Sequence, residues 1–448
     1  MNVMNWNRLL LGIVFAGFTA VLVHGPAAAD LIGHGGMIRA VDISDDGQKV
    51  LTGSFDYSAI VWNFGDQQDL VKLVGHQGPV NSVQFVGHGA RALTGSDDKT
   101  LILWDVSTGL AIFHLTGHDG KVTSLDVSGD YRFAVSGGWD GKVILWDLTD
   151  GSRIRVIRAD GPVNSVVYLG NTGKIAVAGH NRSIQVFETS SGKLLGRMDG
   201  HQMAVTQLSA SSDGRQLLSA SIDGSVRLWD PASFRPLARL DGHEHQVYSV
   251  QFVAGDKYAV SAGRDGTIVL WDIETRQKRR TIIAHRSIVW AVAGSPDGRF
   301  VISASSDETA RVWHLASGDR IGTEVHVDTE PRPWMQSDHP GARLYRKCAR
   351  CHAYRADLIQ RSGPHLENLF GRRAGSVSGY HYSDALARRS FVWDEKTVFE
   401  LFDKGPDVYL PGTKMPVQKV TDEEQLHELV EYLKLLTSSG QPGPKSVQ

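Results

Sequence analysis

Only two cysteines, Cys348 and Cys351, occur in 448 residues, so nothing is left over for a structural disulfide or a separate thiolate metal site. Charge of one sign is also lacking. The formal net charge of −2 argues against a nucleic-acid binder and leaves no polybasic patch for a membrane surface. The balance is uneven along the chain: residues 30–330 hold 29 Lys and Arg against 35 Asp and Glu (−6), residues 331–448 hold 17 against 14 (+3). Beyond Val23 no apolar run approaches the roughly 20 residues a membrane span needs. No Gly-rich phosphate loop or catalytic nucleophile stands out, and acid pairs such as Asp45-Asp46 and Asp97-Asp98 fall in turns, whose geometry accounts for them.

The one long apolar run lies at the N-terminus. Arg8 precedes Leu9 to Val23, and Ala27-Ala28-Ala29 supplies a small-residue cleavage site before Asp30. Residues 1–29 are therefore expected to be a signal peptide, the alternative being an uncleaved anchor. A periplasmic protein with no stable membrane insertion after cleavage is the expectation.

Residues 31 to about 326 repeat with a period of 42, with one step of 41. His34, His76, His118, Asp160, His201, His243 and His285 mark the units. Trp62, Trp104, Trp146, Phe187, Trp229, Trp271 and Trp313 keep the same interval, as do Asp56, Asp98, Asp140, Asn181, Asp223, Asp265 and Asp307. Within each unit, short β-rich segments such as Ala90 to Thr94 and Thr100 to Trp104 are separated by Gly/Asp/Ser turns. With Trp-Asp at 104/105, 146/147, 229/230 and 271/272, this resembles the WD40 family. The resemblance implies an all-β, seven-bladed propeller of four-stranded blades over residues 30–327. It also implies that the repeating His, the turn Asp, a strand Ser or Thr and the Trp form a buried network, for example His76, Asp98, Thr94 and Trp104. Blade four departs at all four positions (Asp160, Asn181, Ala178, Phe187) and is expected to be held by apolar packing alone or to carry a specialised surface. Asp319 to Val327 offers a fourth strand for the last blade, so ring closure is expected from the C-terminal side alone.

In the WD40 family, partner contacts cluster on one face, early in each first strand and just before the turn Asp. Here those positions are Arg39, Asn81, Thr123, Asn164, Thr206, Tyr248 and Trp290, then Phe55, Asp97, Trp139, His180, Ile222, Arg264 and Ser306. Arg39, Phe55, Trp139, His180, Tyr248, Arg264 and Trp290 are the candidate partner surface, because Tyr, Trp and Arg dominate binding hot spots. Tyr248, Arg264 and Trp290 are expected to group together, Trp139 with His180. A face covered by this chain's own C-terminal domain is the alternative.

The two cysteines sit in Cys348-Ala349-Arg350-Cys351-His352, a C-x-x-C-H run that reads as covalent attachment of one haem c. Thiols three residues apart on one turn reach the two vinyl groups, and His352 is aimed at the iron. A thioredoxin-like dithiol would need a βαβ context that is absent. From Gly341 the sequence resembles class I cytochrome c, an all-α fold, through Gly363-Pro364-His365-Leu366, Leu369-Phe370-Gly371-Arg372, Gly379 to Asp384, Trp393 and Tyr409 to Met415. The resemblance implies Met415 as sixth ligand, Pro364 bonding the other nitrogen of His352, and Arg372, Tyr382 and Trp393 near the propionates. His365, His381 and His427 are rival sixth ligands. Phe402 stands where many relatives have a tyrosine, and Asp407 and Val408 replace lysines near the haem edge. Thr421 with Glu424 reads as a capping box for a closing helix packed on the Gly341 helix.

The expected order is signal peptide 1–29, propeller 30–327, linker 328–340, haem domain 341–437 and flexible tail 438–448. The expected function is single-electron transfer by an exported His/Met cytochrome whose propeller docks a protein partner and whose haem serves a redox partner protein. The alternatives are an oxidoreductase with a second redox centre in the propeller, and an interaction protein whose haem is only structural or sensory.

Overall fold

Runs of β-branched and apolar residues broken by Gly, Asp and Ser every few positions form strands with tight turns. The computed structural model describes residues 30–322, 333–335, 337–349, 352–358, 363–378, 380, 382, 386, 388–411, 413, 415, 420 and 422–438. The expected signal peptide and the chain beyond Ser438 lie outside them. Among the described residues, strands form seven four-stranded antiparallel sheets, each taking its strands in sequence order. In the first blade these are Ile38–Ile43, Lys49–Ser54, Ser58–Asn63 and Asp69–Val74. The middle strands are buried nearly throughout and the outermost is largely exposed, as in Ala111–Thr116. Apolar residues of adjacent blades interlock: Leu51 and Val61 pack with Val80, Phe85 and Trp104.

Polar side chains on the innermost strands stitch blade one to blade two and so on through blade seven, at six of the seven junctions. Backbone N–H groups of Phe85, Leu125, Tyr168, Leu208, Val250 and Val292 donate to Asp42, Ser82, Asp126, Ser165, Gln207 and Ser249 at 2.7–3.2 Å. These groups line a central channel, so the stitches satisfy backbone donors that the sheets leave unpaired.

Six blades contain the network that the repeat spacing predicts. In the second, His76 Nδ1 lies 2.8 Å from Asp98, His76 Nε2 lies 2.7 Å from the Thr94 hydroxyl, and Trp104 Nε1 donates to that hydroxyl at 2.8 Å. Because Asp98 only accepts, Nδ1 carries the proton and Nε2 accepts from Thr94. Burial holds the imidazoles of His118, His201 and His285 below their usual range, which keeps the ring neutral. Gly75 precedes the histidine because a Cβ there would meet the Trp104 ring at 2.9 Å. In blade four, Gln185 Oε1 accepts from the Asp160 N–H at 3.0 Å and Arg197 pairs with Asp160 at 2.5 Å. Apolar packing is thus supplemented by a different polar pair.

Ring closure differs from the expectation. Among the described residues Arg320–Ile321 forms the fourth strand in the last blade, pairing with Val312 and Trp313, and residues 323–327 of the expected strand lie outside them. The rest of that edge is taken by the N-terminal segment: Leu31 exchanges backbone bonds with Ala310 at 2.9 and 3.2 Å, and Asp30 pairs with Arg320 and Arg311. Both ends of the propeller therefore contribute to closing the ring.

The C-terminal domain is helical: α1 (Pro340–Cys348), α2 (Glu395–Lys404), α3 (Pro406–Tyr409) and α4 (Glu423–Thr437). As expected, α4 packs on α1, where Tyr345 meets Tyr432 at 5.9 Å between ring centroids. The N-cap of α4 is Asp422, whose side chain accepts from Gln425 N; Thr421 lies outside the described residues. The linker expected at 328–340 ends sooner. Trp334 is 7 % exposed and packs edge-on against Tyr345 and Tyr354, so this residue of the expected linker belongs to the helical core.

Candidate functional site

The end of α1, the loop through Arg372, α2 and the segment around Met415 wall a cavity of about 780 Å³. Cys348, His352, Pro364, Arg372, Tyr382, Trp393 and Met415 all line it, together with Leu366, Leu369, Val398, Leu401, Phe402 and Leu410. Cys351 lies outside the described residues. His352 Nδ1 is 2.8 Å from the Pro364 carbonyl oxygen. A carbonyl only accepts, so Nδ1 carries the proton and Nε2 keeps its lone pair for a metal. Burial lowers the His352 pKa, against the Pro364 hydrogen bond, favouring the neutral ring a ligand needs.

Arg372 donates to the carbonyls of Glu367 and His365 at 2.8 and 2.9 Å, which fixes its guanidinium beside the cavity. Tyr382 OH accepts from Val377 N at 3.2 Å, and burial raises its pKa, leaving the phenol protonated. An apolar cavity in the volume range of cofactor sites, with one imidazole, one guanidinium and the thioethers of Met415 and Met37 on its wall, fits an iron macrocycle with carboxylate arms. His365 and His427 do not line it, and His427 is exposed against Phe399; His381 lies outside the described residues.

The other wall belongs to the propeller: Gly36, Met37, Phe55, Tyr57, Pro79, Asp97, Ser306 and Glu308. Phe55, a candidate partner residue, therefore meets the helical domain. A second cavity, about 640 Å³, is the mouth of the propeller channel, lined by Arg39, Asn81, Thr123, Asn164, Thr206, Tyr248, Trp290, Trp139, His180 and Ile222. Arg264 lines neither cavity and does not group with Tyr248 and Trp290; Arg39 does. Its guanidinium lies 4.2 Å from the Trp290 ring centroid, and Tyr248 meets Trp290 at 4.5 Å. Trp139 packs edge-on against His180 at 5.6 Å, with Lys121 over its ring.

One backbone device positions the mouth. In every blade the ladder between the first two strands skips one residue, and the skipped residues are Arg39, Asn81, Thr123, Asn164, Thr206, Tyr248 and Trp290. A bulge frees its residue from the alternation and turns the side chain off the sheet. Sequence reasoning missed Lys121 and the channel acids Asp42 and Asp126. The acids carried a signal, since Asp42, Gln84 and Asp126 recur at the repeat interval on innermost strands. Burial pushes Asp42 up to about 7 and Asp126 to about 6, against hydrogen bonds from Phe85 and Tyr168. Among the described residues no three His, Cys, Asp or Glu converge to hold a metal.

A ring of repeat-built blades joined to a helical domain with a His/Met-lined apolar cavity defines a haem protein carried on a propeller scaffold. The WD domain, G-beta repeat model matches residues 26–63, 67–105, 109–147, 192–230, 234–272 and 276–314, passing over blade four, and the Cytochrome c model matches 339–437. Cytochrome c of Kluyveromyces lactis is 35% identical over 105 residues, 23% of this chain and 94% of the relative. Cytochrome c of Gibberella zeae is 39% identical over 95 residues (21% and 89%), and cytochrome c2 of Blastochloris viridis 34% over 100 residues (22% and 78%). The chain belongs to the WD-repeat family and ends in a cytochrome c domain, which makes it an electron-transfer haem protein.

Proposed function

We propose that the protein is an exported, periplasmic c-type cytochrome that passes single electrons while its propeller docks a protein partner. Cys348 and Cys351 would hold one haem c by thioethers, with His352 and Met415 as axial ligands. The observation that carries this reading is the His352–Pro364 hydrogen bond inside a cavity that Met415 also lines. When bound, the haem supplies reversible one-electron chemistry at its iron. The chain's residues do the rest: Pro364 fixes the His352 tautomer, Phe402, Leu401 and Leu410 exclude water, and Arg372 offers positive charge beside the cavity.

The test is an optical spectrum of the purified full-length protein, oxidised and reduced, with pyridine haemochrome quantitation. One haem per chain and a weak far-red band in the oxidised form, lost in Met415→Ala, support the reading. Unaltered bands in Met415→Ala contradict it, and a second chromophore would move redox chemistry into the propeller. The docking half is tested by Trp139→Ala, which should slow haem reduction by the partner and leave the spectrum unchanged.

A further inference from the structure

Among the described residues the channel mouth holds a cation with no direct ion-pair partner, the channel acids Asp42 and Asp126 being hydrogen-bonded to Phe85 and Tyr168. Arg39 is half-buried and opens on the mouth cavity. Among the described residues it makes no ion pair or hydrogen bond; its guanidinium is stacked on Trp290. Asp97, an acid whose charge acts on Arg39, is already engaged by Asn81 Nδ2 at 2.7 Å and by Lys121. Trp290 is itself held in place, donating its indole N–H to Ser306 at 2.7 Å. Burial lowers the Arg39 pKa to about 10, which leaves it fully charged at neutral pH.

A half-buried charge with no direct ion-pair partner carries a desolvation cost, and that cost is recovered when an anion arrives with matching geometry. Five N–H donors on a flat fork, pre-ordered by an aromatic face, suit a carboxylate better than a point charge. Tyr248 and Trp290 beside it, with Trp139 and His180 also on the mouth, supply flat apolar surface for the rest of a chain.

We infer that the channel mouth binds an acidic peptide segment of the docked protein, seating a Glu or Asp carboxylate on Arg39 against Trp290. This rests on the docking reading above and names the chemistry of the partner.

The experiment is calorimetric titration of the full-length haem protein with a capped hexaglutamate peptide, and with hexaglutamine and sulfate as controls. Hexaglutamate is expected to bind at one site, hexaglutamine not at all. Arg39→Met is expected to weaken binding about thirtyfold, with haem spectrum and circular dichroism unchanged. Should Arg39→Met fail to fold, Arg39→Lys, which keeps the charge and loses the fork, is expected to weaken it about tenfold. Undiminished binding in the soluble variant, no binding to the wild type, or sulfate binding as tightly as the peptide would each overturn the inference, the last by leaving a free-anion site. If peptide binding fails while Trp139→Ala still slows partner-driven haem reduction, this inference falls and the docking reading stands.

Discussion

Gly341 in α1 sits so close to α4 that a Cβ on it would lie 2.0 Å from the Glu428 carbonyl oxygen and 2.8 Å from the Tyr432 side chain. Backbone meets backbone at this crossing, and no side-chain rotation relieves a clash with a carbonyl. Gly341→Ala is expected to cost the helical domain about 3 kcal/mol through forced separation of the helices. Thermal melting followed at the haem absorption should show a lower midpoint for this domain; an unchanged midpoint contradicts the packing described.

Thr94 joins His76 to Trp104 through one hydroxyl. Thr94→Val keeps the shape but leaves a buried imidazole and a buried indole N–H without their shared partner, at a cost of about 2–4 kcal/mol. Urea unfolding followed by tryptophan fluorescence measures it. Ala178→Val at the matching position of blade four removes no such bond, so a comparable loss there would show that packing, not the network, dominates.

Asp42 gives the propeller a pH dependence of known sign. Its native carboxyl titrates at about 7 against about 3.9 in the unfolded chain. The native state therefore holds the proton longer, and its contribution to stability declines from about pH 4 and is lost once pH has risen past about 7. Asp42→Asn, which can still accept from Phe85 N, should raise the urea midpoint near about pH 8 and change it little near about pH 4. An equal effect at both pH values would remove the carboxyl as the cause.

Asp30 faces Arg320 and Arg311 from an almost fully buried position. Asp30→Ala removes the carboxylate that Arg320 and Arg311 share where the ring closes, Arg311 keeping Asp307 at 3.2 Å, and is expected to cost about 3 kcal/mol. The same urea assay reads it. Midpoints within error of the wild type would place closure on the Leu31 backbone bonds alone.

Much of this was legible before any coordinates. A period of 42 with fixed His, Asp and Trp positions specifies the blades, because each marker residue occupies one place in one hydrogen-bond network. The helical side of the cavity was equally legible, since Cys348, His352, Pro364 and Met415 fall in contiguous motifs, whereas its propeller wall was not. What escaped was set by contacts between distant segments. Leu31 looks like a stub until Ala310 stands beside it, and Pro331-Arg332-Pro333-Trp334 reads as spacer until Tyr345 and Tyr354 receive the indole. The grouping of Arg39 with Trp290 rather than Arg264 depends on the ring bringing blade one next to blade seven, which no local pattern states. The α4 cap shifted by one residue because Thr421 and Asp422 are both good cap types and only geometry separates them.

Sharing the last blade's outer edge between the two ends of the propeller also fixes the order of events at synthesis. Leu31 leaves the ribosome among the first propeller residues, Ala310 and Arg320 among the last. Individual blades can collapse as they emerge, but the ring stays an open arc, with a bare sheet edge at one end, until Arg320 is free. A chain halted anywhere before that point remains prone to edge pairing with its neighbours. The helical domain follows directly, so by the time its cysteines are made the arc has everything it needs to seal.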